Sequence, residues 1–164
     1  MINISFIGMA ACGKSTIGKA VANKIGVSFV DTDLLIEQKH EATLEEIKNK
    51  YDYKFVRDEE EKVILSLTSS NRIISTGGSA VYSAKSMKHL KKFSKVIYIN
   101  TPLEIIMQRI DIGQKRGLAV PEGMSIPEIY SEREPMYQKY CEIILDGSKT
   151  IDQLVDETIK QLHE

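Results

Sequence analysis

The 164-residue chain has no tryptophan, four prolines and two cysteines, Cys12 and Cys141. Two thiols are too few for a disulfide scaffold, which excludes a small fold stapled by bridges and fits a reduced, cytoplasmic setting. An excess of one charge sign is missing as well: 22 basic residues face 23 acidic ones, a net charge of −1. That balance argues against nucleic acid or membrane as the main partner. No apolar run approaches the roughly 18 residues of a membrane span. The first residues lack a basic n-region and a cleavage-like site, and Ile2–Ile7 runs straight into a glycine, so this stretch reads as a strand and not a leader. Repeats, low-complexity tracts and linkers are also lacking. The richest stretch of breakers, Gly113 to Pro127, interrupts a domain rather than joining two. The expectation is one α/β domain over residues 1–164, with ordinary globular composition, 42% apolar and 27% charged.

Periodicity alternates along the chain. Ile2–Ile7 is β-prone, and from Lys14 the apolar spacing turns helical through Ile17, Ala20, Val21 and Ile25. Val27–Val30 is a second strand, ended by Asp31-Thr32-Asp33, with a helix through Leu34–Lys39. Thr43-Leu-Glu-Glu46 opens another helix as a capping box. Val56, Glu60, Val63, Ile64 and Leu67 share one helical face. Strands are expected at Arg72–Thr76, Val96–Ile99 and Ile143–Leu145, and a helix at Ser83–Lys92. Thr101-Pro-Leu-Glu104 combines a capping box with proline at the first helical position. Ser125-Ile-Pro-Glu128 and Thr150-Ile-Asp-Gln153 repeat the box, the last placing Ile151, Leu154, Val155, Ile159 and Leu162 inward. Five such alternations predict a three-layer α/β/α architecture around a five-stranded parallel sheet. Ligands then belong at the carboxyl ends of the strands, where Gly8–Ser15, Asp31–Asp33, Gly77–Ser79, Thr101 and Asp146–Thr150 lie.

The first of these, Gly8-Met-Ala-Ala-Cys-Gly13-Lys14-Ser15, matches G-x-x-x-x-G-K-[ST] between a strand and a helix. Glycines at both ends let successive N–H groups turn inward on phosphate oxygens, and the following helix adds its positive dipole end. Lys14 is a point charge for the β- and γ-phosphates, and Ser15 a hydroxyl ligand for Mg²⁺. A nucleoside triphosphate and Mg²⁺ are therefore the expected ligands of a P-loop phosphotransferase. Cys12 reads as a small neutral filler of the loop. His40, His89 and His163 lack metal-ligand spacing and read as surface residues.

The acceptor half is less explicit. Asp31 and Asp33, one residue apart, face opposite ways if the strand continues, so one could serve the metal through water and the other an acceptor hydroxyl. Aspartate is equally a good helix cap. Arg57 and Arg133 offer planar forks for a carboxylate or phosphate. Thr76-Gly77-Gly78 allows close backbone approach to a ligand, or is a plain tight turn.

Taken together, these motifs resemble the shikimate kinases, of the nucleoside-monophosphate-kinase branch of P-loop proteins. The resemblance covers nearly the whole chain: the phosphate loop Gly8–Thr16, the segment Asp31-Thr-Asp-Leu-Leu-Ile-Glu37, Val56-Arg57-Asp-Glu-Glu60, Thr76-Gly-Gly-Ser79, Arg109 with Arg116 seven residues on, and Arg133-Glu-Pro-Met-Tyr137. It implies that Gly8, Ala11, Cys12, Gly13, Lys14, Ser15, Thr16, Arg109 and Arg116 bind nucleotide, Arg109 against adenine. It implies that Asp33 holds and helps deprotonate the acceptor hydroxyl, that Arg57 and Arg133 bind the acceptor carboxylate, and that Gly77, Gly78 and Ser79 lie beside the acceptor. Ser15 and Asp31 would serve Mg²⁺, and Lys14, Asp33 and Arg116 would carry catalysis. The segment from about 112 to 124 would be a lid. The chain departs from the family's pattern at Ser79, a glycine there, at Val56, at Asp52-Tyr53, and at Gly117 after Arg116. The implied activity is phosphorylation of the 3-hydroxyl of shikimate, with ATP as the donor and Mg²⁺ beside it; separately, no long apolar seam suggests an obligate dimer, so a monomer is expected. A kinase of another small hydroxy-acid and a non-catalytic nucleotide-binding module are the alternatives.

Overall fold

A computed structural model describes residues 2–111 and 118–163. Its centre is a five-stranded, wholly parallel sheet in the order β2-β3-β1-β4-β5. The strands are β1 (Asn3–Ile7), β2 (Ser28–Asp31), β3 (Arg72–Ser75), β4 (Lys95–Asn100) and β5 (Ile143–Asp146). Each lies within a residue or two of the stretch its β-branched content predicts. Parallel strands are joined by helical crossovers, which here are α1 (Lys14–Ile25), α2 (Thr32–His40), α3 (Leu44–Lys50), α4 (Tyr53–Ser66), α5 (Ala84–Lys91), α6 (Leu103–Asp111) and α7 (Ile126–Tyr140), with α8 (Ile151–Lys160) last. Because helices cover the sheet, the strands read as continuous apolar runs, and Ile4, Phe6, Ile7, Ile73, Ile74, Val96, Ile97 and Ile99 are fully buried.

Local chemistry accounts for most boundaries. Thr43 and Thr150 close full capping boxes with Glu46 and Gln153. Ser125 accepts from the N–H of Glu128. The expected apolar face of α4 is buried as a unit, Val56, Val63, Ile64 and Leu67, with the carboxylate of Glu60 among them.

Four expectations need correction. Thr101 does not cap α6: its hydroxyl donates 2.8 Å to the carbonyl of Cys12, and the helix starts one residue later, with Ile106 N–H bonded to the Pro102 carbonyl. Ile151 is 48% exposed, because the first residue of α8 precedes the turn that meets the sheet. Strand β2 does not continue through Asp33; it ends at Asp31 and α2 begins at once. Of the histidines only His163 is exposed, while His40 meets Glu59 and His89 meets the Leu67 carbonyl. Residues 112–117 of the expected lid, Arg116 with them, lie outside the described residues. Within its remainder, Ala119 and Val120 are buried.

Candidate active site

The carboxyl ends of the strands converge on a cavity of about 300 Å³. It is lined by the loop Ala10–Thr16, by Asp33, Glu60, Thr76, Gly78, Ser79 and Arg133, and by Arg109, Gly147, Lys149 and Ile151. Predicted residues from both halves of the sequence therefore meet in one hollow. Gly8, Asp31, Arg57 and Gly77 stand outside that lining.

At the loop, Gly8 has φ +148° and Gly13 φ +110°, conformations that favour glycine, and Gly13 leaves the start of α1 without a side-chain cap. The first N–H groups of α1 are thus available to an anion. The Lys14 ammonium is buried and donates to the carbonyls of Gly8 and Met9, each at 2.7 Å. Arg109 Nη1 donates 2.8 Å to the Ala11 carbonyl and so braces the loop from α6. Cys12 is buried and fills the loop, as expected.

The helix-cap reading of Asp31 is realised, and its second carboxylate oxygen faces the phosphate loop. Its Oδ1 caps α2, accepting from the N–H groups of Asp33 and Leu34 at 3.0 and 3.3 Å. Its Oδ2 accepts the Ser15 hydroxyl at 2.6 Å, and the Ser75 hydroxyl is 3.0 Å from that of Ser15. A serine hydroxyl paired with a carboxylate beside a phosphate loop is a set of hard oxygen donors of the kind Mg²⁺ takes, with phosphates and water supplying the remainder.

The turn after β3 is shaped by its own neighbours. A Cβ at Gly77 would fall 2.6 Å from both Asp33 Oδ1 and Glu60 Oε1, and one at Gly78 would fall 2.7 Å from Arg133 Nη1. These glycines are required by space, since neither has a positive φ. Glu60 was legible only as part of a motif, yet it is central. Its buried carboxylate accepts from Gly77 N–H (2.7 Å), Ser79 Oγ (2.8 Å) and Thr32 Oγ1 (3.3 Å). Burial pushes its carboxyl above the usual range, against those three bonds and the charge of Arg133. Ser79, the departure from the family's glycine, thus turns its hydroxyl onto Glu60. An acid on an otherwise apolar helix face was the available signal for Glu60.

Arg133, on α7, is 1% exposed and its Nη2 has no hydrogen-bond partner among the described residues. Burying a guanidinium with an unmet donor is costly, and an anion entering the cavity would relieve it. One turn on, Tyr137 donates 2.6 Å to the Gly78 carbonyl and ties α7 to the turn. Arg57, on α4, sends its Nε to the Ala119 carbonyl at 2.9 Å. Both guanidinium groups lie over the ring of Tyr82, Arg57 at 3.7 Å and Arg133 at 5.4 Å from its centroid. Tyr82 carried no sequence signal. The arrangement supplies a phosphate cradle, a carboxylate pair at Gly77 and two adjacent guanidiniums, the parts needed to hold a nucleotide and an anionic alcohol together.

Comparison with known proteins agrees with that geometry. The shikimate kinase family model matches residues 10–163. A shikimate kinase of Clostridium botulinum (strain Eklund 17B / Type B) is 35% identical over 157 residues, covering 96% of this chain and 94% of its own. One of Persephonella marina is 31% identical, covering 99% of each chain. Among solved structures, shikimate kinase from Acinetobacter baumannii in complex with shikimate aligns with a TM-score of 0.86 at 27% identity, covering 99% of this chain and 93% of that one. The chain belongs to the shikimate kinase family.

Proposed function

We infer that this chain transfers the γ-phosphoryl group of ATP to the 3-hydroxyl of shikimate, giving shikimate 3-phosphate and ADP. The observation that carries the acceptor assignment is the buried Arg133, which lines the cavity with its Nη2 unmet among the described residues and shares the Tyr82 ring with Arg57. A carboxylate-bearing alcohol answers both guanidiniums and brings a hydroxyl toward Asp33.

In this reading the loop N–H groups from Ala11 to Thr16 hold the nucleotide's phosphates, with Gly8 and Gly13 shaping the turn and Arg109 against the base. Lys14 leaves the Gly8 and Met9 carbonyls for the phosphates. Ser15, with Asp31 reaching it through a hydrogen bond, would hold Mg²⁺. The ion supplies neutralisation of phosphate charge when bound. Asp33 accepts the proton of the attacking hydroxyl, and Glu60, fixed by Gly77, Ser79 and Thr32, keeps the carboxylate wall rigid. Arg57 and Arg133 fix the acid end, and Gly78 leaves room for Arg133. Positioning and electrostatic stabilisation of this kind make up most of the catalysis of phosphoryl transfer. A monomer in the cytoplasm is part of the reading; light scattering near 18.5 kDa checks the first.

The test is ADP release by the purified protein with MgATP, with and without shikimate, beside Asp33→Asn and Arg133→Ala. Strong shikimate-dependent release, reduced at least a hundredfold in Asp33→Asn, is expected, an order of magnitude typical of losing an acid–base group. ATP binding without shikimate-dependent release would sink the acceptor assignment and point to another hydroxy-acid.

A further inference from the structure

Two adjacent arginines that serve one anion, Arg133 buried and Arg57 half-buried, repel each other until it arrives. Proteins commonly settle such a pair with a carboxylate, but among the described residues neither Arg57 nor Arg133 makes a salt bridge. What meets them is aromatic. The Arg57 guanidinium carbon is 3.7 Å from the ring centroid of Tyr82 and 4.8 Å from that of Tyr53. Arg133 lies over the same Tyr82 ring at 5.4 Å, and its Nε donates 3.4 Å to the Tyr82 hydroxyl, which itself donates to Glu132. Burial, and then the charge of Arg133, lower the Arg57 guanidinium from its ordinary range.

A ring and a carboxylate hold a guanidinium in different ways. A carboxylate neutralises it and occupies its N–H edge, so it competes with an anionic ligand. A ring attracts the cation through its face and leaves charge and edge donors in place. Tyr82 sits on the short 3₁₀ turn Ala80–Tyr82 that follows Gly77–Ser79, so the residue that supports the arginines is rigidly joined to the turn flanked by Asp33 and Glu60.

We propose that Tyr82, assisted by Tyr53, is the positioning residue of the acceptor-carboxylate clamp: its ring face holds Arg57 and Arg133 together, still charged, for a planar carboxylate. The inference takes shikimate as the ligand from the reading above. It predicts a change in acceptor affinity and little change in turnover or in ATP affinity.

The experiment compares Tyr82→Leu, Tyr82→Phe and Tyr53→Leu with the parent, by calorimetric titration of shikimate and its methyl ester and by KM and kcat for both substrates. Tyr82→Leu is expected to weaken shikimate binding and raise its KM about tenfold or more, the scale of a desolvated cation–π contact. Its kcat should stay within about threefold, its KM for ATP should not move, and Tyr82→Phe, which keeps the ring, should bind nearly as the parent does. Tyr53→Leu should fall between. The methyl ester, lacking the charge, should bind weakly to the parent and no more weakly to Tyr82→Leu. Unchanged shikimate affinity in Tyr82→Leu would overturn the proposal. So would Tyr82→Phe matching Tyr82→Leu, which would move the role to the hydroxyl, or an equal loss for ester and acid. Should the parent fail to bind shikimate, the functional reading fails instead. The same variants are then titrated with benzoate, a bare planar carboxylate, and a parent that binds it no better than Tyr82→Leu would overturn the clamp as well.

Discussion

At Gly77 a missing methyl group decides where two carboxylates stand. Asp33 and Glu60 both occupy the space a Cβ would need, so the glycine serves packing by side chains rather than backbone freedom. Gly77→Ala should push both acids outward, lowering kcat at least tenfold, with a stability cost of about 1–3 kcal/mol as for other overpacked sites. Steady-state kinetics and a melting curve check both, and unchanged kcat would mean that neither acid needs its present place. Residue-scale legibility varied for physical reasons. Lys14, Ser15 and the loop glycines were plain in the sequence because phosphate binding demands those types at that spacing. Asp33, Arg57 and Arg133 were candidates on their chemistry alone, but isolated aspartates and arginines serve many ends, and family resemblance was needed to single out one reading. Tyr82 was not legible at all: its role depends on which cations the fold brings to its face.

At the scale of elements, α2 and α4 matter most, because they carry Asp33 and Arg57 with Glu60. They are joined by Glu59, 3% exposed, which accepts from Lys39 at 2.8 Å, His40 at 2.7 Å and Lys62 at 3.1 Å. Burial acts to raise its carboxyl, and these bonds outweigh burial and hold it at about 2. A folded value below the unfolded one contributes stability that is fully present above roughly pH 4.5 and is lost as pH falls toward about 2. Glu59→Gln should therefore cost about 2 kcal/mol at neutral pH, the scale of hydrogen bonds to a charged group, and flatten the acid limb of the stability curve. Urea titrations of both proteins between pH 3 and pH 7 measure it, and parallel acid limbs would reject the linkage. The elements themselves were read well from periodicity and caps. The misreadings were junctions, as at Thr101, where a hydroxyl placed to cap a helix found a buried loop carbonyl. Sequence spacing states which partners a side chain can have locally, and the tertiary fold adds others.

For the whole molecule, one sheet order brings together residues far apart in sequence: the loop after β1, the acids after β2, the glycine turn after β3 and Arg133 on α7. Ligand binding at such a site should stabilise the entire fold. ATP at a hundred times its dissociation constant adds about 2.7 kcal/mol to the free energy of unfolding, which raises Tm by about 5–10 °C for a chain of this size. Thermal scans with Mg²⁺ and increasing ATP check this, and a Tm that does not move would contradict nucleotide binding. The alternation of five strands with helices made this architecture readable in advance, since only a parallel sheet with crossovers satisfies it. The same order fixes a timetable for the chain as it is made. β1 lies in the middle of the sheet, pairing with β3 and β4 and not with β2, the next strand to be made. At roughly 5–20 residues per second, Asn3–Ile7 waits roughly 3–13 s for Arg72–Ser75 to be synthesised. During that interval its apolar side chains have no sheet to enter, and no nascent chain shorter than about the end of β4 can present a finished nucleotide loop.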